Sequence, residues 1–516
     1  MGNDSGPKLY PSFLYAILAA IELGWQLGAT NIPEPFIKCW INQVNLGATN
    51  QIICNNATIP EDQPGNIQSD LNDVTLAWAL STAIYAIGAA IGGLIGGPIS
   101  DKIGRRYAIL LNAVLGVIVS IILGATRIIG SYAVLIIART LIGMNTGIAS
   151  STAPVYLNEI SPEEKKGIFG TSYQVGAVTG ILLSQIAGLE WLLGTNDNWP
   201  VIFLLGVIPA GLQIILFFIV PESPAWLAVN GKIVEAEKSE ISLKGQVVPE
   251  NKFIILAENA QKEEKVSLIQ NIIQLYNDPP VRSAMWNAIA YQIIQQISGI
   301  NAIMFYSGSI FTSAGIPNEY SGLATVGLGF INVIGSIMAV FLVDKLGRIT
   351  LLFWSMVIMT ISTIVMTILL SFTETSQIIA YLSVVPTLIY VLAFELGAGP
   401  IPWMMASEIV PTKYKSGLAA LGASSNWFFC FLVGLLFPPL NDLMDQYVFI
   451  IFTVLCFGSA VYVKIMGVES KGKSVEEVQE IYRERVGFYS TKTSMGSVQG
   501  NSNRSFETID PSDDEL

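Results

Sequence analysis

Residues 100–106 read SDKIGRR, and residues 343–349 read VDKLGRI. Two more pairs of motifs follow in the same order and at nearly the same separation: NEISPEEKKG at 158–167 with SEIVPTKYKSG at 407–417, and PES at 221–223 with VES at 468–470. Three motifs that recur in one order indicate an internal duplication. The chain is therefore predicted to consist of two similar halves.

The composition places both halves in a membrane. Of the 516 residues, 52% are hydrophobic and only 13% are charged. Apolar stretches of about 20 residues, the length of a helix that crosses a bilayer, recur along the chain. We predict an all-α membrane protein whose twelve transmembrane helices form two six-helix bundles. The predicted spans cover residues 11–33, 72–97, 107–127, 131–155, 167–190, 199–220, 283–308, 320–343, 350–371, 379–405, 415–438 and 446–467.

The distribution of Lys and Arg predicts the orientation, because short cytoplasmic loops carry an excess of these residues. The basic loops DKIGRR, EEKKG, DKLGR and TKYK all fall on one side of the predicted membrane, together with the lysine-rich segment that joins the halves. We expect a multi-pass plasma-membrane protein with both termini in the cytoplasm. Its predicted parts are a first bundle at 1–220, a cytoplasmic helical linker at 221–280, a second bundle at 281–468 and a largely disordered cytoplasmic tail at 469–516.

The loop at 34–71 is extracellular in this orientation. It contains the acceptor sequence NAT, which predicts glycosylation at Asn56. Cys39 and Cys54 lie in the same loop, on the oxidising side, and either pair with each other or remain two free thiols.

Acidic and basic residues recur together at the cytoplasmic ends of the predicted spans. Gly104 permits a tight turn there, and the arginines beside it present planar donor groups to carboxylates. Recurrence of acids with bases favours an ion-pair network over charges that only follow the positive-inside rule. We predict that this network joins the two bundles and closes an inner gate. Its predicted members are Arg105, Arg106, Glu159, Lys166, Glu222, Asp344, Arg348, Glu408, Lys415 and Glu469.

The seventh predicted span contains YQIIQQISGINAIMFY, in which four carboxamides interrupt an apolar sequence. On an ideal helix Gln292, Gln295 and Gln296 share one face, whereas Asn301 points away from it. Gly299 lies between them and can break the helix, which would return Asn301 to the same cavity. Carboxamides donate and accept hydrogen bonds without charge, as the hydroxyls of a neutral ligand require. Hydrogen bonds between helices are the alternative role, and the clustering of four favours the ligand.

Seven motifs together resemble the sugar porter family of the major facilitator superfamily, in particular its facilitative glucose transporters. They are GGPISDKIGRR, PVYLNEISPEEKKG, PESPAWL, QQISGINAIMFY, VDKLGR, GAGPIPWMMASEIVP and VESKGKS. The resemblance covers essentially residues 10–475. It implies facilitated transport of a hexose, D-glucose above all, by alternating access between the two bundles. The sugar-binding residues that it implies are Gln174, Gln295, Gln296, Asn301, Asn332, Phe394, Glu395, Gly399, Trp403 and Asn426.

Two departures from the family pattern leave details open. Glucose-selective members read QLS where this chain has QII at 292–294, so a hexose is better supported than glucose itself. Lys166 and Lys415 replace the arginines of the family signature, which keeps the charge but removes the bidentate donor group.

The first span bears on the coupling mechanism. Proton-coupled relatives carry an aspartate where this chain has Gln26, which favours uniport. Glu22 lies one turn earlier, so a proton-coupled sugar symporter is the main alternative. A pair between Glu22 and Arg139 would be structural, because ion pairing keeps a carboxyl group charged.

Other functional classes have less support. A sugar sensor that signals through the tail is a further alternative, and the tail is a candidate site for cytosolic regulators. We expect no enzyme, cofactor, metal or nucleic-acid partner, because the sequence has no metal-ligand cluster, nucleophile and base motif, or phosphate-binding glycine loop. The expected partners are the hexose and the lipid bilayer.

Overall fold

The computed structural model describes residues 6–46, 67–162, 165–245, 252–262, 268–373 and 376–499. The regular elements in these ranges are helices. The predicted glycosylation site at Asn56 and the cysteine Cys54 lie outside the described residues. Cys39 is disulfide-bonded, whereas Cys430 and Cys456 are free and buried.

The first half contains eight helices, because a short helix follows the first span and the sixth span is divided into two. Their bounds are α1 Leu9–Gly28, α2 Glu34–Leu46, α3 Ile67–Ile103, α4 Arg105–Ile129, α5 Tyr132–Ile160, α6 Lys166–Ala187, α7 Trp199–Leu204 and α8 Val207–Phe217.

The linker forms four short helices, α9 Pro224–Val229, α10 Ile233–Lys244, α11 Lys252–Lys262 and α12 Leu268–Asn277. Helix α10 packs against α9 and α1, whereas α12 packs against α13 and α20 of the second half. The helices of the second half are α13 Pro279–Ile297, α14 Ile300–Ser313, α15 Asn318–Leu346, α16 Arg348–Leu370, α17 Gln377–Leu382, α18 Val384–Ala393, a π-helical turn at Phe394–Ala398, α19 Ile401–Glu408, α20 Lys415–Met444 and α21 Val448–Met466, with α22 Val475–Gln499 in the tail.

Eight helical segments of the described chain are long and apolar enough to cross a membrane. Seven of them match single predicted spans, and the eighth, Gly417–Met466, covers two. The predicted spans outside this set are α1, α6 and the pair α13 and α14. These helices contain Glu22, Gln174 and the carboxamides of the seventh span. Polar groups inside membrane helices tend to mark a functional site. The least apolar spans are therefore expected to contain the site.

The duplicated DKxGR motif forms the same turn in both halves. Gly104 precedes α4 with φ 101° and ψ 157°, and Gly347 precedes α16 with φ 95° and ψ 158°. The Glu222 carboxylate accepts from the Arg106 N–H at 3.0 Å, and the Glu469 carboxylate accepts from the Arg348 N–H at 2.8 Å. A carboxylate at a helix N-terminus satisfies free N–H groups and opposes the positive end of the helix dipole.

The two ends of the molecule are packed differently. We call the end that holds Gly104 and Gly347 the arginine end, and the other end, which holds α2, the loop end. At the loop end one hydrophobic cluster joins the halves through residues that include Trp40, Trp78, Phe305 and Phe437. At the arginine end, the cluster around Tyr15, Tyr156 and Phe217 is built from the first half and the linker alone.

The tail differs from the expected disorder over its first part. Helix α22 continues to Gln499, and it buries Val478 and Tyr482 against the second half. Arg485 donates to the carbonyls of Met466 and Gly467, at the end of α21. Gln479 also donates to the Ile409 carbonyl. The sequence pattern does not indicate this helix, because polar contacts such as these hold it together with a short apolar stripe, rather than a full apolar face. Residues 500–516 lie outside the described residues.

The Gly104→Ala substitution should lower the melting temperature of the purified protein. The backbone at residue 104 lies in a region that glycine alone adopts easily, at a cost of about 1–3 kcal/mol for other residues. A Cβ atom there would also meet Glu222 Oε2 at 2.3 Å. Gly97→Ala is the control, because residue 97 is inside α3 and has open space around it. Equal melting temperatures for the two variants would contradict this account of the turn.

Candidate functional site

The predicted break in the seventh span is confirmed. Gly299 adopts a left-handed conformation with φ 94° between α13 and α14. A Cβ atom at this position would lie 2.6 Å from the Phe452 ring, so glycine is required by both the backbone and the packing. The break frees the Ser298 carbonyl, which accepts from the Tyr390 hydroxyl at 2.7 Å. Asn301 is therefore held at the start of a new helix.

The carboxamides of the seventh span bind one another and a partner on α20. Asn301 Nδ2 donates to Gln296 Oε1 across the break at Gly299. Gln296 Nε2 donates to Asn426 Oδ1 at 2.9 Å. Asn426 Nδ2 in turn donates to Gln295 Oε1 at 2.6 Å and to Gln292 Oε1 at 2.8 Å. We call these five side chains the carboxamide network, and all of them are buried.

The tenth span supplies two further acceptors to this network. Its helix widens into the π-helical turn before α19 begins. Gln295 Nε2 donates to the carbonyls of Ala398 and Gly399, each at 2.7 Å. A Cβ atom on Gly397 would lie 2.5 Å from the Ser355 side chain on α16, so this turn packs closely against its neighbour. The glycines and prolines that mark span 10 in the sequence thus correspond to a local departure from α-helix.

A second polar group lies where α6 of the first half meets α15 of the second. The Glu395 carboxylate accepts from Ser336 Oγ at 2.6 Å, and the Gln174 side chain lies near the same carboxylate. Asn332 is one turn before Ser336 on α15 and is buried, with no partner for Oδ1 among the described residues. The structure therefore brings Gln174 and Glu395 together across the two halves.

Several buried polar atoms in this region lack a protein partner. Besides Asn332 Oδ1, they include Trp427 Nε1 and both polar atoms of Gln185, within the part of the chain that the structure describes. Trp427 packs edge-on against Tyr85 of the first half, with ring centroids 6.2 Å apart. Buried polar groups almost always have partners. Unpartnered atoms between the two halves are therefore places where a polar ligand can bind.

The two predicted aromatic contacts differ in exposure. Phe394 is buried at the start of the π-helical turn, whereas Trp403 is 40% exposed. Their role as sugar contacts stays a prediction.

The acid in span 1 does not pair with the predicted arginine. Glu22 is fully buried, and its carboxylate contacts Gln213 Nε2 at 3.5 Å. Arg139 instead donates to the Gln26 carbonyl at 2.8 Å and lies 4.7 Å from the centroid of the Tyr85 ring. Backbone carbonyls thus bind two nitrogens of the guanidinium group, while Nη2 has no partner among the described residues. The Gln26 side chain donates to Ser120 Oγ at 3.1 Å.

The predicted charge network separates into one cluster in each half. Arg105 binds Glu159 at 3.1 Å and Asp101 at 2.8 Å. Arg348 makes the equivalent contacts with Glu408 at 3.1 Å and Asp344 at 3.2 Å. The expectation that these charges join the two bundles is not met in this conformation, since each ion pair stays within one half.

Two other basic residues of the predicted gate form no ion pair with a described carboxylate. The Arg106 guanidinium donates to the Phe217 carbonyl at 2.8 Å and lies 4.1 Å from the centroid of the Phe217 ring, and it pairs with no carboxylate in the described ranges. Lys415 has no ion pair with a described residue, and the side chain of Lys166 lies outside what the structure describes.

One contact at the loop end was missed by the sequence analysis. Asn31, between α1 and α2, donates from Nδ2 to the Met304 carbonyl at 2.5 Å and to Ser307 Oγ at 2.8 Å. Its Oδ1 accepts from the Gly308 N–H at 3.2 Å. This single carboxamide ties the first half to α14. An isolated asparagine at the end of a span has no pattern that would single it out.

These features can be compared with known proteins. A model of the family described as "Sugar (and other) transporter" matches residues 13–482. The chain belongs to the sugar transporter family. It is 34% identical to facilitated glucose transporter member 4 of Bos taurus, over 90% of this chain and 89% of that relative. It is 32% identical to facilitated glucose transporter member 2 of Gallus gallus, over 95% of this chain and 96% of that relative.

Solved structures agree with the family assignment at the level of the fold. The inward-open xylose transporter XylE of E. coli has a TM-score of 0.73 at 22% identity, over 92% of this chain and 99% of that one. The proton:xylose symporter XylE bound to 6-bromo-6-deoxy-D-glucose has a TM-score of 0.68 at 23% identity, over 92% and 99% of the two chains. The predicted fold of two six-helix bundles is thus confirmed as the major facilitator fold.

Asn426→Leu should destabilise this family member even without ligand. The Asn426 side chain makes hydrogen bonds with Gln292, Gln295 and Gln296, and each buried group left unpaired costs about 1–3 kcal/mol. We expect a lower melting temperature than for Asn441→Leu, the same substitution farther along α20 and outside the network. Equal melting temperatures would mean that the network contributes nothing to stability.

Proposed function

We propose that this chain is a uniporter that equilibrates a hexose, D-glucose above all, across the plasma membrane by alternating access. The carboxamide network is the observation that carries the proposal. It is buried where spans 7, 10 and 11 meet, it is uncharged, and it contains both donors and acceptors. Relatives that match nearly the whole chain are named facilitated glucose transporters, which supports the same substrate class.

The carboxamide network can bind a hexose without leaving its own donors and acceptors unpaired. In the structure its carboxamides hydrogen-bond to one another, so each of them has a partner within the network. A hexose offers hydroxyl groups that both donate and accept. These hydroxyls can replace the amide-to-amide bonds, while unpartnered atoms such as Asn332 Oδ1 gain a partner. Binding then exchanges hydrogen bonds rather than losing them.

The packing at the two ends favours an inward-facing state. We take the arginine end as cytoplasmic, because the basic loops gather there. The Asn31 contacts and the hydrophobic cluster close the loop end, which would then be extracellular. At the arginine end the charge clusters remain within their own halves. Rocking of the halves would open the Asn31 contacts and bring the charged turns together.

The surroundings of span 1 favour uniport over proton symport. The Gln26 side chain cannot ionise, and Arg139 is already bound to backbone carbonyls. Coupling would need an acid that changes its protonation state and its contacts in each transport cycle. Glu22 favours the alternative, a proton-coupled symporter, because it is buried and one of its oxygens has no partner among the described residues.

Transport by purified protein in proteoliposomes tests the proposal. Labelled D-glucose should enter until the inside and outside concentrations are equal, and labelled L-glucose should not enter. An inward proton gradient should leave the final level unchanged. Accumulation above the outside concentration that is lost with an uncoupler, and in Glu22→Gln, would show a symporter. Glucose binding without any exchange would show a sensor instead.

A further inference from the structure

A groove on the outer surface of the second half has no role in the proposed transport cycle. It runs between α16 and α21, on the opposite side of α16 from the π-helical turn, and has a volume of about 430 Å³. Since a water molecule occupies about 30 Å³, the groove holds on the order of ten or more heavy atoms. Its walls include Phe353, Val357, Ile361, Phe457, Val461 and, at one end, Lys464.

The walls are apolar, and their one neutral polar group is already satisfied. Thr360 Oγ1 donates to the Met356 carbonyl of its own helix at 2.7 Å. Phe457 and Val461 are 62% and 42% exposed. Side chains this apolar and this exposed, on a helix that crosses the membrane, face lipid tails. The groove is therefore suited to an acyl chain.

One end of the groove carries a positive charge, Lys464, which favours an amphiphile with an anionic head group. Lys464 is in the last turn of α21, at the arginine end, and its Nζ lies 5.4 Å from the centroid of the Phe353 ring. It forms no ion pair with any residue in the described ranges. A lysine near the end of a membrane span commonly extends its ammonium group into water without a partner. Here the ammonium group instead lies over the wall of the groove, where an anion beside it would be partly removed from water.

We propose that this groove binds an anionic phospholipid, with one acyl chain between α16 and α21 and the lipid phosphate on Lys464. An apolar groove with a free cation at its mouth is complementary to an amphiphile with an anionic head. The arginine end would lie in the cytoplasmic leaflet, which is the leaflet rich in anionic lipids. The binding site itself depends only on the groove and Lys464, and it does not depend on hexose transport.

Lipid binding to the purified full chain, counted by native mass spectrometry, tests the site. The probes are phosphatidylglycerol and phosphatidylcholine with the same acyl chains. Lys464→Gln should weaken the tightest phosphatidylglycerol site about fivefold, the effect of one lysine near an anionic head group, and leave phosphatidylcholine binding unchanged. Lys473→Gln, an exposed lysine beyond α21, is the control for general attraction of anions.

A second pair of variants tests the apolar part of the site. Val461→Trp fills the groove and should weaken binding of both lipids, whereas Val454→Trp adds the same side chain to the exposed surface of α21 outside the groove. Thermal unfolding of each variant shows whether it is folded. Wild-type phosphatidylglycerol affinity in Lys464→Gln, or equal lipid binding in the two tryptophan variants, would overturn the proposal, and neither result would alter hexose transport.

Discussion

The hydrogen bond from Asn301 to Gln296 across the break at Gly299 is the contact on which the rest of the site depends. A carboxamide buried in a membrane protein is costly unless it is paired. The left-handed turn at Gly299 brings Asn301 back to the face that holds the glutamines. Gln296 also donates to Asn426, and Asn426 donates to Gln292 and Gln295. One backbone conformation thus organises side chains from two spans.

The two halves share their turns but not their interiors. Gly104 and Gly347 precede equivalent helices, and a carboxylate from a later motif caps each helix. The carboxamide network, in contrast, belongs to the second half. The first half contributes Gln174 at the interface and holds a separate cluster around Glu22 and Arg139. The duplication therefore preserved the frame of the fold, while the polar interior diverged.

The sequence predicts local features well and contacts between helices less well. The twelve spans and the break at Gly299 follow from apolar length, repeats and glycine. The acids and bases of the charged turns follow from charge, but the prediction that they join the two bundles is wrong in this conformation, because each pair stays within one half. The partner of Arg139 could not be predicted, because a backbone carbonyl carries no sequence signal, whereas Glu22 stands out as an acid inside the first predicted span. Arg106 and Asn31 are similar cases, since tertiary packing alone decides what they contact.

Hexose affinity of Gln295→Leu tests the central claim most directly, because Gln295 joins the seventh span to both the π-helical turn and Asn426. Binding of labelled D-glucose to purified protein would be compared with Gln274→Leu, the same change on an exposed part of α12. The loss of hydrogen bonds should cost about 1–3 kcal/mol, or about 5- to 150-fold in affinity. Equal glucose affinity in the two folded variants would contradict the assignment of the carboxamide network as the sugar site.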